Sequence, residues 1–127
     1  MEEKYISELK KRWPRNCESM EPTKETMDLT LEALRQFPES EKLWIMRGDL
    51  LQLVNYDDEI ELSEIEKCYR KAMSINPQSV EANEELGYFL DSVMGKPRKA
   101  KQYFAKTKRL KKHNKAQQHA TAWLDSL

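Results

Sequence analysis

Apolar residues recur at helical intervals along this chain, and no useful stretch alternates polar and apolar as a strand would. Near the N-terminus, Tyr5, Ile6, Leu9 and Trp13 share one face of a predicted helix over 3–13, which Pro14 stops. Thr23 or Lys24 begins the next, with Met27, Leu29, Leu31, Leu34 and Phe37 as apolar positions and Pro38 as its end. Ser40 caps a third helix carrying Leu43, Trp44, Met46, Leu50 and Leu51. Ser63 opens a fourth, with Glu66 three residues on as a capping box and Ile65, Tyr69, Ala72, Met73 and Ile75 as its apolar side. Ser79 caps a fifth that runs to about Val93, and Gly95 and Pro97 mark the next turn. A sixth carries Ala100, Tyr103, Phe104, Thr107 and Leu110 on one stripe, and a last holds Ala116, Ala120, Trp123 and Leu124. About seven helices joined by mostly short loops predict an all-α fold of stacked antiparallel pairs.

Composition narrows this picture. The 127 residues fit one domain or a short array. With 39% hydrophobic and 35% charged residues, the chain is too apolar for disorder and too polar for a membrane protein. No apolar run approaches the ~18 residues that span a bilayer. The start "MEEKYISELKK" is acidic and amphipathic, unlike a signal peptide. Cys17 and Cys68 lie far apart and form no CxxC, which favours a reduced, cytoplasmic setting.

The prolines repeat with companions. Ala33 lies five before Pro38, and Ala72 five before Pro77. Trp44 and Asn83 lie six after those prolines, Gly48 and Gly87 four later, and Leu51 and Leu90 three after that. Tyr69 and Phe104 precede Ala72 and Thr107 by three. Small, aromatic and proline positions at this spacing resemble the tetratricopeptide repeat, a helix–turn–helix unit of about 34 residues. The resemblance implies a right-handed superhelical stack within a single domain over 1–127. Residues 3–38 would be a degenerate N-terminal pair, 41–79 and 80–114 two repeats, and 115–127 a capping helix. The sequence departs from the family where Arg47 holds a leucine position, Asn83 holds the tryptophan slot, and Pro38 to Pro77 spans 39 residues. The extra length falls in the turn at 55–63.

In that family the first helix of each pair lines a concave, peptide-binding face. Carried over by register, the face would show Lys42, Ile45, Asp49 and Gln52 from one repeat. The next would add Glu81, Glu84, Glu85, Tyr88 and Asp91. The family's clamp for a C-terminal carboxylate needs Lys, Arg and Asn, but those slots hold Ile45, Asp49, Glu81 and Glu85. An acidic, partly aromatic groove should instead take a basic or amphipathic segment of another protein. The family includes small bacterial secretion chaperones and general scaffold adaptors alike. The resemblance therefore implies a binding module, with neither catalysis nor a cofactor.

Chemistry finds little foothold in the residues themselves. His113 and His119 match neither a zinc pair nor a nucleophile–base pair, and no GxSxG, HExxH or phosphate loop occurs. From Asn55, "NYDDEIELSEIE" echoes a calcium loop, but Ile60 stands where the bend needs glycine, so a solvated acidic loop and no metal are expected. Charge is more informative. The net charge is zero, yet Lys96–Lys115 holds ten Lys or Arg and no acid. The other 12 basic residues face 22 acidic ones, a balance of −10. Lys99, Lys101, Lys106, Lys108, Arg109, Lys111 and Lys112 lie off the apolar stripe and form a second candidate surface for RNA or another anionic partner. A third reading is a structural array with Trp13 or Trp123 as anchors.

Overall fold

The computed structural model of the chain describes residues 1–14, 21–54 and 61–125, with side chains described through Gln118. The acidic turn at 55–60 and Cys17 lie outside the described residues. Those described form six α-helices and no strand. They are α1 (Glu2–Lys11), α2 (Lys24–Gln36), α3 (Glu41–Leu53), α4 (Leu62–Ile75), α5 (Val80–Tyr88) and α6 (Pro97–Asp125). Phe89–Val93 continues α5 as one π-helical turn. No described helix is long and apolar enough to cross a membrane.

The caps follow the sequence closely. The side chains of Thr23, Ser40 and Ser79 accept the backbone N–H groups of Thr26, Leu43 and Ala82. Each oxygen satisfies a donor that a helix start leaves orphaned. Ser63 does not cap α4. Glu61, two residues earlier, holds the N-cap position, and the Ser63 hydroxyl bonds the Glu61 carboxylate at 3.4 Å instead. Glu66 pairs with Arg70 one turn on, at 3.3 Å, rather than closing a capping box. At the end of the π turn, Gly95 adopts φ 63°, a conformation open to glycine at no steric cost. The Lys96 N–H then bonds back to the Leu90 carbonyl at 2.7 Å.

Two helices expected near the C-terminus are one. Between Pro97 and Asp125 the sequence holds no further proline and no glycine, so nothing interrupts the backbone ladder. Residues 115–125 of the expected capping helix are therefore the end of α6.

The chain divides into two compact units, Met1–Pro77 and Gln78–Leu127. In the first, α1 packs on α2, α2 on α3, and α3 on α4. One core gathers Leu9, Ala33, Leu34, Leu43, Met46 and Leu50, with Tyr5, Ile6, Trp13, Met27, Leu29, Phe37 and Trp44 around it. Burial of such side chains contributes roughly 1.5–3 kcal/mol each. Tyr5 meets Phe37 edge-on at 6.0 Å, and the Ser40 hydroxyl donates to Glu2 at 2.6 Å, tying α1 to the start of α3. Leu31, read as an apolar core position, is 47% exposed on the outer side of α2. In the second unit, α5 and its π turn pack along α6 through Ala82, Leu86, Phe89, Leu90 and Ala100, all buried.

Each unit contains one close helix approach of the same kind. A Cβ on Gly48 would lie 2.7 Å from the Tyr69 ring, and one on Gly87 would lie 2.7 Å from the Phe104 ring. Only glycine lets the aromatic of the following helix sit against the backbone at these two points.

Candidate functional site

The residues read as a peptide-binding face fall into both units, and each set is described by itself. In the first unit, α3 holds Lys42 half-buried and Ile45 fully buried. Ile45 is thus a core residue. At zero exposure it offers no apolar contact to a partner. Asp49 and Gln52 do local work. The Tyr69 hydroxyl donates to Asp49 at 2.6 Å, and the Gln52 amide donates to that hydroxyl at 2.6 Å. Both side chains pin the buried aromatic that packs on Gly48.

The neighbouring Arg47 was legible only as a misfit at a leucine position. It is 7% exposed, and its guanidinium donates to Thr30 Oγ1 and to Glu64 Oε1, each at 2.7 Å. Thr30 in turn donates to the Met27 carbonyl. A nearly buried cation must be satisfied on all sides, and this one is held by α2 and α4 together.

In the second unit, Glu84 and Glu85 lie three and four residues after Glu81 and four and three before Tyr88, so all four share one face of α5. Glu81 is exposed, Glu84 and Glu85 are half-buried, and Tyr88 is 54% exposed with its ring edge-on to Phe104 at 5.2 Å. Asp91 is exposed on the π turn. Glu84 accepts the Lys111 ammonium of α6 at 2.8 Å, and that bond holds the Lys111 ammonium above its ordinary pKa. The two surfaces read separately from the sequence therefore meet at this pair.

The other candidate basic residues stand outward on α6. Lys99, Lys101, Lys108, Arg109 and Lys112 are exposed, and Lys106 is half-buried. An open hollow of about 370 Å³ in the first unit is lined by Arg12, Glu25, Asp28, Leu29 and Glu32, none of them a candidate from the sequence. Among the described residues, no group of His, Cys, Asp or Glu is arranged to hold a metal ion.

No protein-family model matches the chain, and no curated protein matches it at a significant level.

Proposed function

We propose that the chain is a non-enzymatic protein-interaction module built from tetratricopeptide-like helix pairs. It takes a basic or amphipathic segment of a partner protein on the acidic, aromatic face of α5. The repeat reading is supported by the two glycine–aromatic contacts, Gly48 with Tyr69 and Gly87 with Phe104, which fall at the positions that carried the resemblance. A reduced, cytoplasmic setting belongs to the same proposal.

The observation that carries the binding reading is the Glu84–Lys111 pair. A lysine ammonium already rests on this face, with the exposed Tyr88 ring one helical turn away on the same face. A face that holds one cation beside an aromatic has the chemistry to hold those of a ligand, since charge complementarity selects and orients basic segments. The groove reading changes in one respect. Ile45, Asp49 and Gln52 are committed to the first unit's packing, so recognition rests on Glu81, Glu84, Glu85, Tyr88 and Asp91.

The test is fluorescence anisotropy with a labelled Lys/Leu amphipathic peptide. Reversing Glu81 and Glu85 to Lys should weaken binding by about tenfold or more at low salt, with helicity unchanged. Replacing Lys111 with Met frees Glu84 and should tighten it. Unchanged affinity in the double reversal would remove the α5 face as the site.

A further inference from the structure

The geometry of α6 points to a second interaction surface: we infer that its outer ridge docks on the phosphate backbone of duplex DNA. This surface is separate from the acidic face of α5, and it does not depend on the peptide-binding reading.

The ridge is defined by position. Arg98, Lys101, Lys108, Arg109, Lys112 and Lys115 are all exposed. At 3.6 residues per turn they fall within an arc of about 120° and run for about 26 Å along the helix. Ala100 and Thr107, buried on the side of α6 that packs on α5, lie well away from this arc, and Phe104 stands just outside its edge beside Lys115. Lys99 and Lys106 lie on a different flank, and Lys111 is engaged with Glu84. The ridge is thus narrower than the basic run in the sequence.

None of the six has a carboxylate within ion-pair distance among the described residues, in contrast to Lys111, Arg47 and Arg70. Ordinary solvated helix faces intersperse both signs, since like charges three or four apart destabilise a helix. Here Lys108 and Lys112 are four apart, Arg98 and Lys101 three, and Arg109 and Lys112 three. An anionic ligand relieves that repulsion, and a line of phosphates fits a line of cations.

Three features select duplex DNA among polyanions. An α-helix with its side chains is about 10–12 Å across, which suits the major groove of B-form DNA at about 12 Å and not the narrow groove of A-form RNA. Lys112–Gln118, which carries Lys112 and Lys115 of the ridge, is exposed around the whole helix, so no described residue of the second unit obstructs entry along that stretch. No aromatic stands on the ridge to stack unpaired bases, because Tyr103 and Phe104 fall outside its arc and are half-buried. The middle of the ridge holds Ala105, and no Asn or Gln lies within it to read base edges. Binding should therefore be indifferent to sequence and strongly dependent on salt.

The experiment is anisotropy of a labelled DNA duplex of about 20 base pairs, titrated with the full chain from about 25 to 200 mM salt. Displacement of several counterions predicts a log–log salt slope between about −3 and −5. Lys101→Glu with Lys108→Glu should lose at least about tenfold in affinity, whereas Lys99→Glu with Lys106→Glu, an equal change in charge, should lose less than about threefold. Circular dichroism of both variants checks that α6 remains helical. The proposal falls if no binding occurs at the lowest salt, if the slope is shallower than about −1, or if both double variants lose affinity equally. It falls equally if single-stranded DNA, duplex RNA, polyglutamate or anionic vesicles compete as well as the duplex.

Discussion

The helix pairs α3/α4 and α5/α6 solve the same packing problem in different chemistry. Both lay an aromatic ring against a glycine, and both start with a serine cap after a proline turn. Around that shared contact the residues part. Arg47 in α3 corresponds to Leu86 in α5, Asp49 to Tyr88, and Gln52 to Asp91, each 39 residues on. In the first pair the ring belongs to Tyr69, whose hydroxyl needs partners when buried, and Asp49 and Gln52 supply them. In the second pair Phe104 has no hydroxyl to satisfy. The position of Asp49 is free for Tyr88, which packs edge-on against the ring. Residues that would be surface carboxylate and amide in one pair are structural in that pair and outward-facing in the other. Equivalent register therefore does not mean equivalent availability, which is why the α3 half of the expected groove is spent on packing.

The sharpest break of this comparison is a methyl group at each glycine. Both would meet ring atoms at 2.7 Å, so something must move. Tyr69 is fully buried and held by its hydroxyl, whereas Phe104 is only half-buried and has no hydroxyl to hold it. Overpacking a fixed core costs about 1–3 kcal/mol, against a gain of about 1 kcal/mol from replacing glycine by alanine in a helix. Gly48→Ala should therefore destabilise by about 1–2 kcal/mol, and Gly87→Ala by close to zero. Urea denaturation with amide exchange in each helix pair measures both. Equal losses would mean that Phe104 is as tightly held as Tyr69.

A smaller effect isolates the hydroxyl. Tyr69→Phe makes the first pair resemble the second while leaving the ring in place. It removes one bond to a carboxylate and one from an amide, for a loss of about 1–2 kcal/mol. The reverse exchange, Phe104→Tyr, adds a hydroxyl where Tyr88 stands in the place of Asp49 and the exposed Asp91 in that of Gln52, and it should change stability by less than about 0.5 kcal/mol. Stabilisation by Phe104→Tyr equal to the loss in Tyr69→Phe would show that the polar partners are unnecessary.

The sequence reveals the helices well because their signals are local. Thr23, Ser40 and Ser79 cap where the backbone needs an oxygen, and Pro14, Pro38 and Gly95 stop or turn the chain by sterics alone. Gly48 and Gly87 were legible as small positions recurring at the same distance after Pro38 and Pro77, and the structure lays a ring against each. The misreadings have a different cause. Ser63 resembles a capping residue, but the N-cap of α4 is Glu61, two positions earlier. Lys115 carries no stop signal, so α6 runs through the expected break. Ile45 lies at an outward register position that tertiary packing covers. Arg47 was visible as a misfit, yet its partners Thr30 and Glu64 are each 17 residues away, and no local pattern announces a pairing between helices. The ion pair of Glu84 with Lys111 was hidden in the same way.

The mildest contrast concerns the residue before each aromatic. Cys68 precedes Tyr69 and is 2% exposed, whereas Tyr103 precedes Phe104 and is half-buried. Burial pushes the Cys68 thiol up to about 11 from an ordinary 9.0, with Glu64 adding to the shift and Arg47 opposing it. Because the folded chain holds that proton more tightly, its contribution to stability is complete below about pH 9 and declines as pH rises toward 11. At pH 8 the thiol is both neutral and covered, so its thiolate attacks a disulfide reagent, expelling the reagent's thiolate, only after local opening. In a Cys17→Ala chain, Cys68 should react about a hundredfold more slowly in buffer than in denaturant. Gly48→Ala, which presses on the adjacent Tyr69, should raise that rate, while Gly87→Ala in the other unit should not. Fast labelling of the unaltered pair would show that α3 and α4 open far more readily than their interlocked side chains imply.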